Sequence, residues 1–248
     1  MESTANAAQS QPINATPFRR YLTLLAIKSL RRFRESTGTV LILSDKLCVK
    51  YGTIVRLSEA WTMRYVANHT SIPVPRVYCA FSIRNRAYIV MDRIHGDPVG
   101  ARWVWRPEES KAKILDQLKK MIEDMRCVTL PEGVGVAHVC GGPLHDPRVP
   151  GPSMDFGPFR TTQDFHKPEI SKLISEQELQ SSLVFTHGDL SSLNILVSGD
   201  EVVGIVDWET AGWYPSYWEY TSAWHVNPQN QFWRDEMEKI RVEYFGDV

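Results

Sequence analysis

Two patterns of apolar residues, helical spacing and short continuous runs, divide the first part of the chain into helices and strands. Apolar side chains recur at helical spacing from Phe18 to Glu35, and again in the stretch that ends at His69. Short runs rich in β-branched and aromatic residues predict strands at 39–43, 46–51, 77–83 and 87–93. We therefore expect a small β-sheet with one helix inserted after its second strand.

The pattern becomes mainly helical in the second part of the chain. Apolar residues keep a helical period through Glu108–Cys127, and the closing stretch Asn227–Phe245 is helical as well. Between these stretches, proline and glycine crowd Pro131–Pro158 into a long irregular connection of the kind that tends to carry function. Short strands are predicted at 184–186, 195–197 and 202–206. The sum of these elements is an α+β fold.

Together the elements predict two lobes with a cleft between them. We expect a β-rich N-lobe over residues 17–95 and a mainly helical C-lobe over residues 96–248. Residues 1–16 are rich in Ser, Ala, Asn and Gln and are expected to be disordered. They lack the apolar core of a secretory signal, and the apolar run Tyr21–Leu30 is too short to span a bilayer. That run is expected to form a buried helix face.

Composition excludes several classes of partner and site. Hydrophobic residues make up 43% of the chain and charged residues 23%, and the formal net charge of −1 argues against a nucleic-acid or membrane-surface partner. The cysteines are too widely spaced for a zinc site and are expected to be reduced thiols in a cytoplasmic protein: Cys48, Cys79, Cys127 and Cys140. Several tryptophans near the C-terminus favour a bulky core over an aromatic-lined pocket: Trp208, Trp213, Trp218, Trp224 and Trp233.

The residues that suggest chemistry are concentrated between Thr186 and Glu209. Two apolar strands flank the polar loop His-Gly-Asp-Leu-Ser-Ser-Leu-Asn, and a third strand ends in Asp-Trp-Glu. Asp189, Asn194 and Asp207 place short oxygen-bearing side chains at strand ends or on the loop, and Mg²⁺ prefers such oxygen ligands. A carboxylate that does not bind the metal can accept a proton from an attacking hydroxyl.

Each of these residues has a simpler explanation when it is taken alone. Asp189 and Asn194 are common turn formers, and Asp207 could cap a helix. The joint pattern is much more specific, because Asn follows His-Gly-Asp at a fixed distance and an apolar strand then ends in Asp-Trp-Glu. His187 could act as a base, but beside Gly188 at a strand end we expect it to hold the loop through hydrogen bonds.

At these residues the sequence resembles the aminoglycoside phosphotransferase and choline kinase-like family, which shares the protein-kinase fold. The resemblance runs from about Leu41 to about Phe245. It implies a two-lobed, protein-kinase-like fold with a small β-sheet N-lobe and a mainly helical C-lobe. Further phrases resemble the fungal branch of that family: Ile72-Pro73-Val74-Pro75, Gly157-Pro158-Phe159, and Trp213-Tyr214-Pro215 with Trp218-Glu219-Tyr220.

The resemblance implies a role for each matching position. Asp189 would be the catalytic base, and Asn194 and Asp207 would hold Mg²⁺ against the phosphates of ATP or GTP. Lys50 would pair with the α- and β-phosphates, and Glu59 would hold Lys50 in place. Without the family, Lys50 and Glu59 would be a surface charge and a helix-dipole contact. The hinge that receives adenine through backbone groups would be Met91-Asp92-Arg93-Ile94.

The sequence departs from the protein-kinase pattern at two places. A glycine-rich loop is expected between the first two predicted strands, but Val40–Lys46 contains no glycine and Gly38 stands alone before it. Asp207 is followed within about twelve residues by Glu219, with no Ala-Pro-Glu between them. A phosphorylatable activation loop and a peptide-docking platform are therefore not expected.

The acceptor is the least determined part of the function. We expect transfer to a hydroxyl of an amino-alcohol, an aminoglycoside-like compound or a specialised metabolite. Acids in the stretch 103–165, with Glu209 and Glu219 beyond it, would suit a cationic compound, although such acids are more often solvated or helix caps. That stretch offers Asp146, Arg148, Asp155 and Asp164. Two alternatives stay open: a nucleotide-binding pseudoenzyme or regulatory module, and a kinase-fold enzyme with a non-phosphorylating reaction.

Overall fold

Helices and short antiparallel sheets make up the fold. The computed structural model describes residues 11–148, 154–166, 182–225 and 231–245. Its α-helices are α1 Pro17–Leu30, α2 Leu57–His69, α3 Glu108–Arg126, α4 Thr162–Phe165, α5 Trp218–His225 and α6 Gln231–Phe245, with 3₁₀-helices at Val99–Trp105 and Trp208–Thr210. Its strands are β1 Ser36–Thr37, β2 Val40–Ile42, β3 Leu47–Gly52, β4 Val77–Ile83, β5 Arg86–Asp92, β6 Asp97–Pro98, β7 Leu144–His145, β8 Asp155–Phe156, β9 Leu183–Thr186, β10 Ile195–Ser198, β11 Glu201–Ile205 and β12 Gly212–Pro215.

A five-stranded antiparallel sheet forms the N-terminal part, in the order β1-β2-β3-β5-β4. β3 lies in its middle, so that Lys50 stands opposite Val40 on one side and Ile89 on the other. α2 packs against β4 and β5, and its residues Met63 and Val66 are fully buried. The predicted sheet with one inserted helix is therefore confirmed.

The sheet has one strand more than the sequence predicts. β1 contains two residues, too few to show alternation, and it pairs with β2 through Ser36 opposite Leu41 and Thr37 opposite Val40. The strands predicted at 39–43 and 46–51 are therefore the second and third of the chain. Consequently the inserted helix follows the third strand, not the second.

The segment before α1 is ordered from residue 11 onward, although the sequence predicts disorder as far as residue 16. Ile13 is buried, and its N–H and C=O exchange hydrogen bonds of 2.8 and 2.9 Å with Ala80. Thr16 caps α1 by accepting a hydrogen bond from the N–H of Arg19. The expected disorder of residues 1–10 lies outside the described residues.

The prediction that the run Tyr21–Leu30 forms a buried helix face is wrong. α1 buries only Thr23 and Ile27, with Ile27 packed on the outer face of the sheet. Its large apolar residues are exposed: Phe18, Tyr21, Leu22, Leu24 and Leu25. The narrow contact explains the difference, because a helix that rests on a sheet along one edge covers only the residues on that edge.

Three small sheets and most of the helices form the C-terminal part. β6 enters the sheet β11-β10-β6 directly after β5, β12 pairs with β9, and β7 pairs with β8. α3 matches the predicted helix at 108–127 to within one residue. β12 and α5 were not predicted, while α6 begins at Gln231 and residues 226–230 are not described.

The largest hydrophobic cluster runs from the N-terminal sheet and α2 into the C-terminal part. The tryptophans near the C-terminus whose burial the structure describes are buried, which confirms the prediction of a bulky core for them: Trp208, Trp213, Trp218 and Trp233. All four cysteines are free, as expected. Among the described residues, no helix is both long enough and apolar enough to cross a membrane.

Candidate active site

A buried lysine joins the sheet to the C-terminal part. Lys50, on β3, donates to Glu59 Oε1 of α2 at 2.9 Å and to Asp207 Oδ1 at 2.5 Å. Glu209 Oε2 lies 3.9 Å from the same ammonium group. Lys50 and Glu59 are almost completely buried, whereas the Asp207 side chain is 40% exposed. The predicted pairing of Lys50 with Glu59 is therefore present, and Asp207 joins it.

The charge of Lys50 is held in place by these three acids. Burial lowers the pKa of Lys50, but Glu59, Asp207 and Glu209 outweigh that effect and raise it above its ordinary value. Oxygen atoms of the three acids lie within 4.8 Å of one another, close enough in principle to bind a cation. The Lys50 ammonium already lies among them, so it supplies the positive charge that they require.

The predicted base lies on a tight loop between β9 and β10, residues 187–194, which we name the catalytic loop. Asn194 Nδ2 donates to Asp189 Oδ2 at 3.0 Å and to the Asp189 carbonyl at 3.0 Å. The Ser191 N–H donates to the Asp189 carbonyl at 2.7 Å, and the Asn194 N–H donates to the Ser191 carbonyl at 3.1 Å. These bonds close the loop and bring Asp189 and Asn194 side by side.

His187 holds the catalytic loop, as the sequence predicts. Its Nδ1 accepts a hydrogen bond from the N–H of Asp189 at 3.1 Å, so its proton lies on Nε2, 3.0 Å from the Val206 carbonyl. Burial lowers the pKa of His187 to about 4. A neutral histidine whose two nitrogens are both bonded to backbone is a structural element and not a base.

Glu219 fixes the other side of the same turn. Its carboxylate accepts from the N–H of His187 at 2.7 Å and from that of Gly188 at 3.1 Å. Gly188 has φ +80°, and a Cβ there would lie 3.0 Å from the Thr210 carbonyl oxygen, so glycine is required. Glu219 is buried within the protein. Its predicted place in a cationic acceptor pocket is therefore wrong.

Asp207 is placed by an unusual backbone conformation. It lies after β11 in the left-handed region, with φ 66° and ψ 57°, where residues other than glycine are uncommon. The N–H of the preceding residue, Val206, donates to the Asn194 carbonyl at 2.9 Å. The two predicted metal ligands are therefore joined through the backbone.

A cavity of about 530 Å³ brings these groups together, within the range of small-molecule sites. Its polar end contains Lys50, Glu59, Asn194 and Asp207. The remaining wall comes from the predicted hinge, the first hairpin and several apolar side chains: Met91–Ile94, Thr37–Val40, Ile42, Cys48, Pro75, Leu196 and Val206. The cavity combines charged groups with an apolar wall, which suits a nucleotide.

The cover of the cavity lies earlier in the chain than predicted. The expected loop, Val40–Lys46, contains β2 and the turn into β3, whereas the residues of this hairpin that line the cavity are Thr37–Val40 and Ile42. Gly38, at φ +55°, forms the turn between β1 and β2. The cover is thus a tight hairpin with one glycine, and the missing glycines of 40–46 carry no weight against it.

The hinge residues all line the cavity, but part of their backbone is already used. The N–H of Asp92 donates to the Arg76 carbonyl at 3.1 Å, and that of Arg93 donates to the Lys46 carbonyl at 2.9 Å. The thiol of Cys48 lies 3.4 Å from the Asp92 carbonyl, a weak contact. A nucleobase bound in the cavity would therefore need hydrogen-bond donors other than these two N–H groups.

Asn194 and Asp207 fit a magnesium ion by the nature of their oxygens. Asn194 uses its NH₂ group on Asp189, which leaves its carbonyl oxygen for a cation, and the Asp207 carboxylate is partly exposed beside the cavity. A hard cation takes an amide oxygen and a carboxylate together with phosphate oxygens. The donor set therefore suits Mg²⁺ held against a phosphate chain.

The acids expected to line an acceptor pocket have partners within the protein. Asp146 is bound to Arg148 at 2.7 Å, and Asp155 lies 2.8 Å from Arg56. Asp164 contacts the cap of the short helix α4. These acids therefore do not form a shared acidic surface for a polycationic acceptor. Arg148, which the sequence placed in this stretch without a role, lies against the catalytic loop.

Comparisons with known proteins agree with this arrangement. The model of the phosphotransferase enzyme family matches residues 55–243. No curated protein sequence matches the chain. Among solved structures, a thermostable mutant of aminoglycoside phosphotransferase APH(4)-Ia in complex with ADP and hygromycin B is 14% identical, with a TM-score of 0.57 over 90% of this chain and 82% of the other.

Two further solved structures have the same fold. Aminoglycoside phosphotransferase APH(3'')-Id from Streptomyces rimosus, in complex with ADP and streptomycin, is 15% identical, with a TM-score of 0.56 over 94% of this chain and 93% of the other. The gentamicin complex of APH(2'')-IIa is 11% identical, with a TM-score of 0.57 over 89% and 81%. The chain therefore belongs to the phosphotransferase enzyme family and has the protein-kinase-like fold of the aminoglycoside phosphotransferases.

Proposed function

We propose that the protein is an ATP- or GTP-dependent, Mg²⁺-dependent phosphotransferase that moves the γ-phosphoryl group to a hydroxyl of a small molecule. One observation carries the proposal: Lys50, Asn194 and Asp207 come from separate segments and line one cavity, and Asn194 holds Asp189 beside it. Family membership supports the reaction type. ADP in two of the related structures supports the nucleotide.

In this proposal Asp189 is the catalytic base. It accepts the proton of the acceptor hydroxyl while that oxygen attacks the γ-phosphorus, and the bond to the β–γ bridging oxygen breaks, so that the nucleoside diphosphate leaves. Asn194 holds Oδ2, whereas Oδ1 makes no hydrogen bond to any described residue. Burial raises the pKa of Asp189, which makes it a better proton acceptor.

The other residues place the nucleotide. Lys50 pairs with the α- and β-phosphates and is kept in position by Glu59. Asn194 and Asp207 would hold Mg²⁺, which when bound neutralises charge on the phosphates. Phosphoryl transfer requires positioning and charge neutralisation more than covalent chemistry, so these roles account for most of the catalysis.

Adenine would lie along the hinge Met91–Ile94. The N–H groups of Asp92 and Arg93 already donate hydrogen bonds within the protein. We therefore assign the hydrogen bonds to adenine to the Asp92 carbonyl and the Ile94 N–H. We place the boundary between the two lobes just after the hinge, between residues 95 and 96, because β5 belongs to the first sheet and β6 to the second.

The acceptor is a small hydroxyl compound: an amino-alcohol, an aminoglycoside-like compound or a specialised metabolite. Hygromycin B and streptomycin in related structures support a polar acceptor of that size. The pairing of Asp146 with Arg148 and of Asp155 with Arg56 weakens the case for a polycation among these.

A thermal-shift titration separates this proposal from the alternatives. We expect ATP to raise the melting temperature in the presence of Mg²⁺ and to do so less without it, since a ligand that binds only the native state stabilises it. Asp207→Asn should lose the Mg²⁺-dependent part. Absence of any Mg²⁺-dependent stabilisation by ATP or GTP would contradict the proposal.

The products identify the reaction. [γ-³²P]ATP is incubated with a panel of hydroxyl compounds and with water alone as acceptor. Labelled phosphate ester or inorganic phosphate supports phosphotransfer. Nucleotide binding with neither product favours a pseudoenzyme, and release of labelled pyrophosphate favours nucleotidyl transfer, a non-phosphorylating reaction.

A further inference from the structure

Arg148 is fixed beside the catalytic loop by a buried acid. Asp146 accepts three hydrogen bonds from it: from the backbone N–H at 2.9 Å, from Nε at 2.8 Å and from Nη2 at 2.7 Å. The Asp146 side chain is 1% exposed. A guanidinium held at two nitrogens by a buried carboxylate has little freedom to rotate. Its position is therefore determined by the fold.

The other side of this guanidinium faces the peptide that carries the proposed base. Nη2 donates to the Gly188 carbonyl, and Nη1 donates to the Ser222 carbonyl at 3.3 Å. The Gly188 carbonyl and the Asp189 N–H belong to one peptide group, and His187 accepts from that N–H at 3.1 Å. Both polar atoms of this peptide are thus held, one by Arg148 and one by His187.

Arg148 also lies against the free oxygen of the base. Its Nη1 is 3.6 Å from Asp189 Oδ1, a buried oxygen with no hydrogen bond to any described residue. At this distance the cation attracts the carboxylate without forming a hydrogen bond to it. Asn194 holds the other oxygen at 3.0 Å. The carboxylate is therefore oriented from both sides.

We propose that Arg148 is a positioning residue for Asp189: it fixes the Gly188–Asp189 peptide and the orientation of the carboxylate that would accept the proton of the acceptor hydroxyl. The inference rests on the proposed role of Asp189 as the base. It also gives a reason for a buried Asp146–Arg148 pair next to the catalytic loop, since an ion pair that served only stability could be replaced by apolar residues.

The test needs a variant that still folds. Arg148→Ala would leave Asp146 buried without a partner, so we choose the neutral double variant Asp146→Asn with Arg148→Gln, which retains size and hydrogen-bonding groups. Arg148→Lys keeps the positive charge but loses the several N–H donors of the planar guanidinium. Arg106→Gln is the matched control, because Arg106 also donates to a backbone carbonyl, that of Gly199, at 2.8 Å but lies away from the catalytic loop.

Steady-state kinetics, with the best acceptor or with water, give the first measurement. In the double variant we expect kcat to fall about 100-fold, as for a displaced catalytic group, while the KM for nucleotide stays within about 3-fold. Arg148→Lys should retain more activity than the double variant, and Arg106→Gln should match the native protein. A folded double variant with kcat within about 3-fold of native would overturn the proposal.

Amide hydrogen exchange gives a measurement that does not depend on turnover. Peptides covering 187–190 should exchange faster in the double variant than in the native protein and in Arg106→Gln, because the Gly188 carbonyl has lost its partner. Unchanged exchange there would contradict the positioning role. If the native protein transfers phosphate to no acceptor, including water, the proposed function fails, and the exchange result still decides the role of Arg148.

Discussion

The two sides of the catalytic loop are built from different interactions. On its inner side, the backbone of Gly188 and its neighbours is held by Glu219, His187 and Arg148, and Glu219 is 3% exposed. On its cavity side, the Asp207 carboxylate accepts a hydrogen bond from the Lys50 side chain and is 40% exposed. A buried carboxylate with backbone donors cannot exchange them, whereas an exposed one paired to a side chain can accept a ligand.

The comparison separates two roles that the sequence alone does not distinguish. Both Asp207 and Glu219 belong to phrases that resemble one family, and both are acids near the catalytic loop. The inner contacts should determine stability, and the cavity contacts should determine nucleotide binding and turnover. The four predictions below test this division, beginning with the largest expected effect.

Removing the inner carboxylate should have the largest effect. Glu219→Ala leaves two buried N–H groups, those of His187 and Gly188, without an acceptor. We expect a loss of roughly 4 kcal/mol in the free energy of unfolding, about 2 kcal/mol for each group, as measured by urea denaturation. Glu219→Gln should lose less, and Glu123→Ala, at an exposed position of α3, should change stability by less than about 0.5 kcal/mol. A loss below about 1 kcal/mol in Glu219→Ala would contradict the claim that the inner contacts determine stability.

The cavity side should respond in activity and not in stability. Lys50→Arg keeps the positive charge among the acids but places it differently, so we expect native-like unfolding and a fall in kcat/KM for nucleotide of about 100-fold, or about 2.7 kcal/mol. Lys46→Arg, four residues earlier on an exposed turn, is the control and should leave both unchanged. Native turnover in Lys50→Arg would remove the lysine from the phosphate site.

A second buried histidine, His138, extends the comparison to the contact between the lobes. Its Nδ1 accepts from the Cys140 N–H at 3.2 Å, and its Nε2 lies 2.8 Å from Thr62 Oγ1 of α2. Burial lowers the pKa of His138 from 6.5 to about 4. Between these values the unfolded chain binds more protons than the native one, so lowering the pH through this window removes stability.

The expected size of this pH effect is about 2 kcal/mol between pH 7 and pH 5. It is measured as the difference in unfolding free energy between the native protein and His138→Gln at each pH, because Gln has a donor and an acceptor but does not titrate. His187 and Glu219 are the same in both proteins and cancel in that difference. Equal pH dependence in the two proteins would show that His138 does not bind its proton less tightly when folded.

Glycine at the cover of the cavity should have the smallest effect. Gly38 at φ +55° and Gly199 at φ +60° both turn a hairpin, and a Cβ at either position meets no atom within 4 Å. Gly38→Ala and Gly199→Ala should therefore each lose about 1 kcal/mol of stability from backbone strain alone. Only Gly38→Ala should also weaken nucleotide binding, by about 3-fold, because Gly38 covers the cavity. Equal nucleotide affinities of Gly38→Ala and Gly199→Ala, measured by isothermal titration calorimetry, would exclude the hairpin from the nucleotide site.

Sequence patterns predicted the long, regular elements of the fold. α3 was placed almost to the residue, because Ile114, Leu118 and Met125 form an apolar stripe that is buried as predicted. β1 was missed because two residues show no period. The exposed face of α1 was misjudged because a run of apolar residues does not reveal how wide a surface lies opposite it.

In the candidate site, the sequence predicted residues that act through their own side chains. Asp189 and Asn194 lie on one loop, Asp207 follows β11 soon after it, and their spacing is specific. Arg148 could not be given a role, since its partners are a backbone carbonyl and an acid about 40 residues away in sequence, and no local pattern encodes that contact. The same holds for Glu219, whose burial distinguishes it from a pocket acid only in the folded chain.

The central claim is that Asp189 takes the proton of the acceptor hydroxyl, and Asp189→Asn tests it most directly. Asparagine keeps the size of the side chain and a contact with Asn194 but cannot accept the proton as a carboxylate does. The account predicts that phosphoryl transfer falls by roughly 1,000-fold, the size expected for loss of a general base, while the Mg²⁺-dependent rise in melting temperature with ATP is unchanged. Transfer by Asp189→Asn at the native rate would contradict the account.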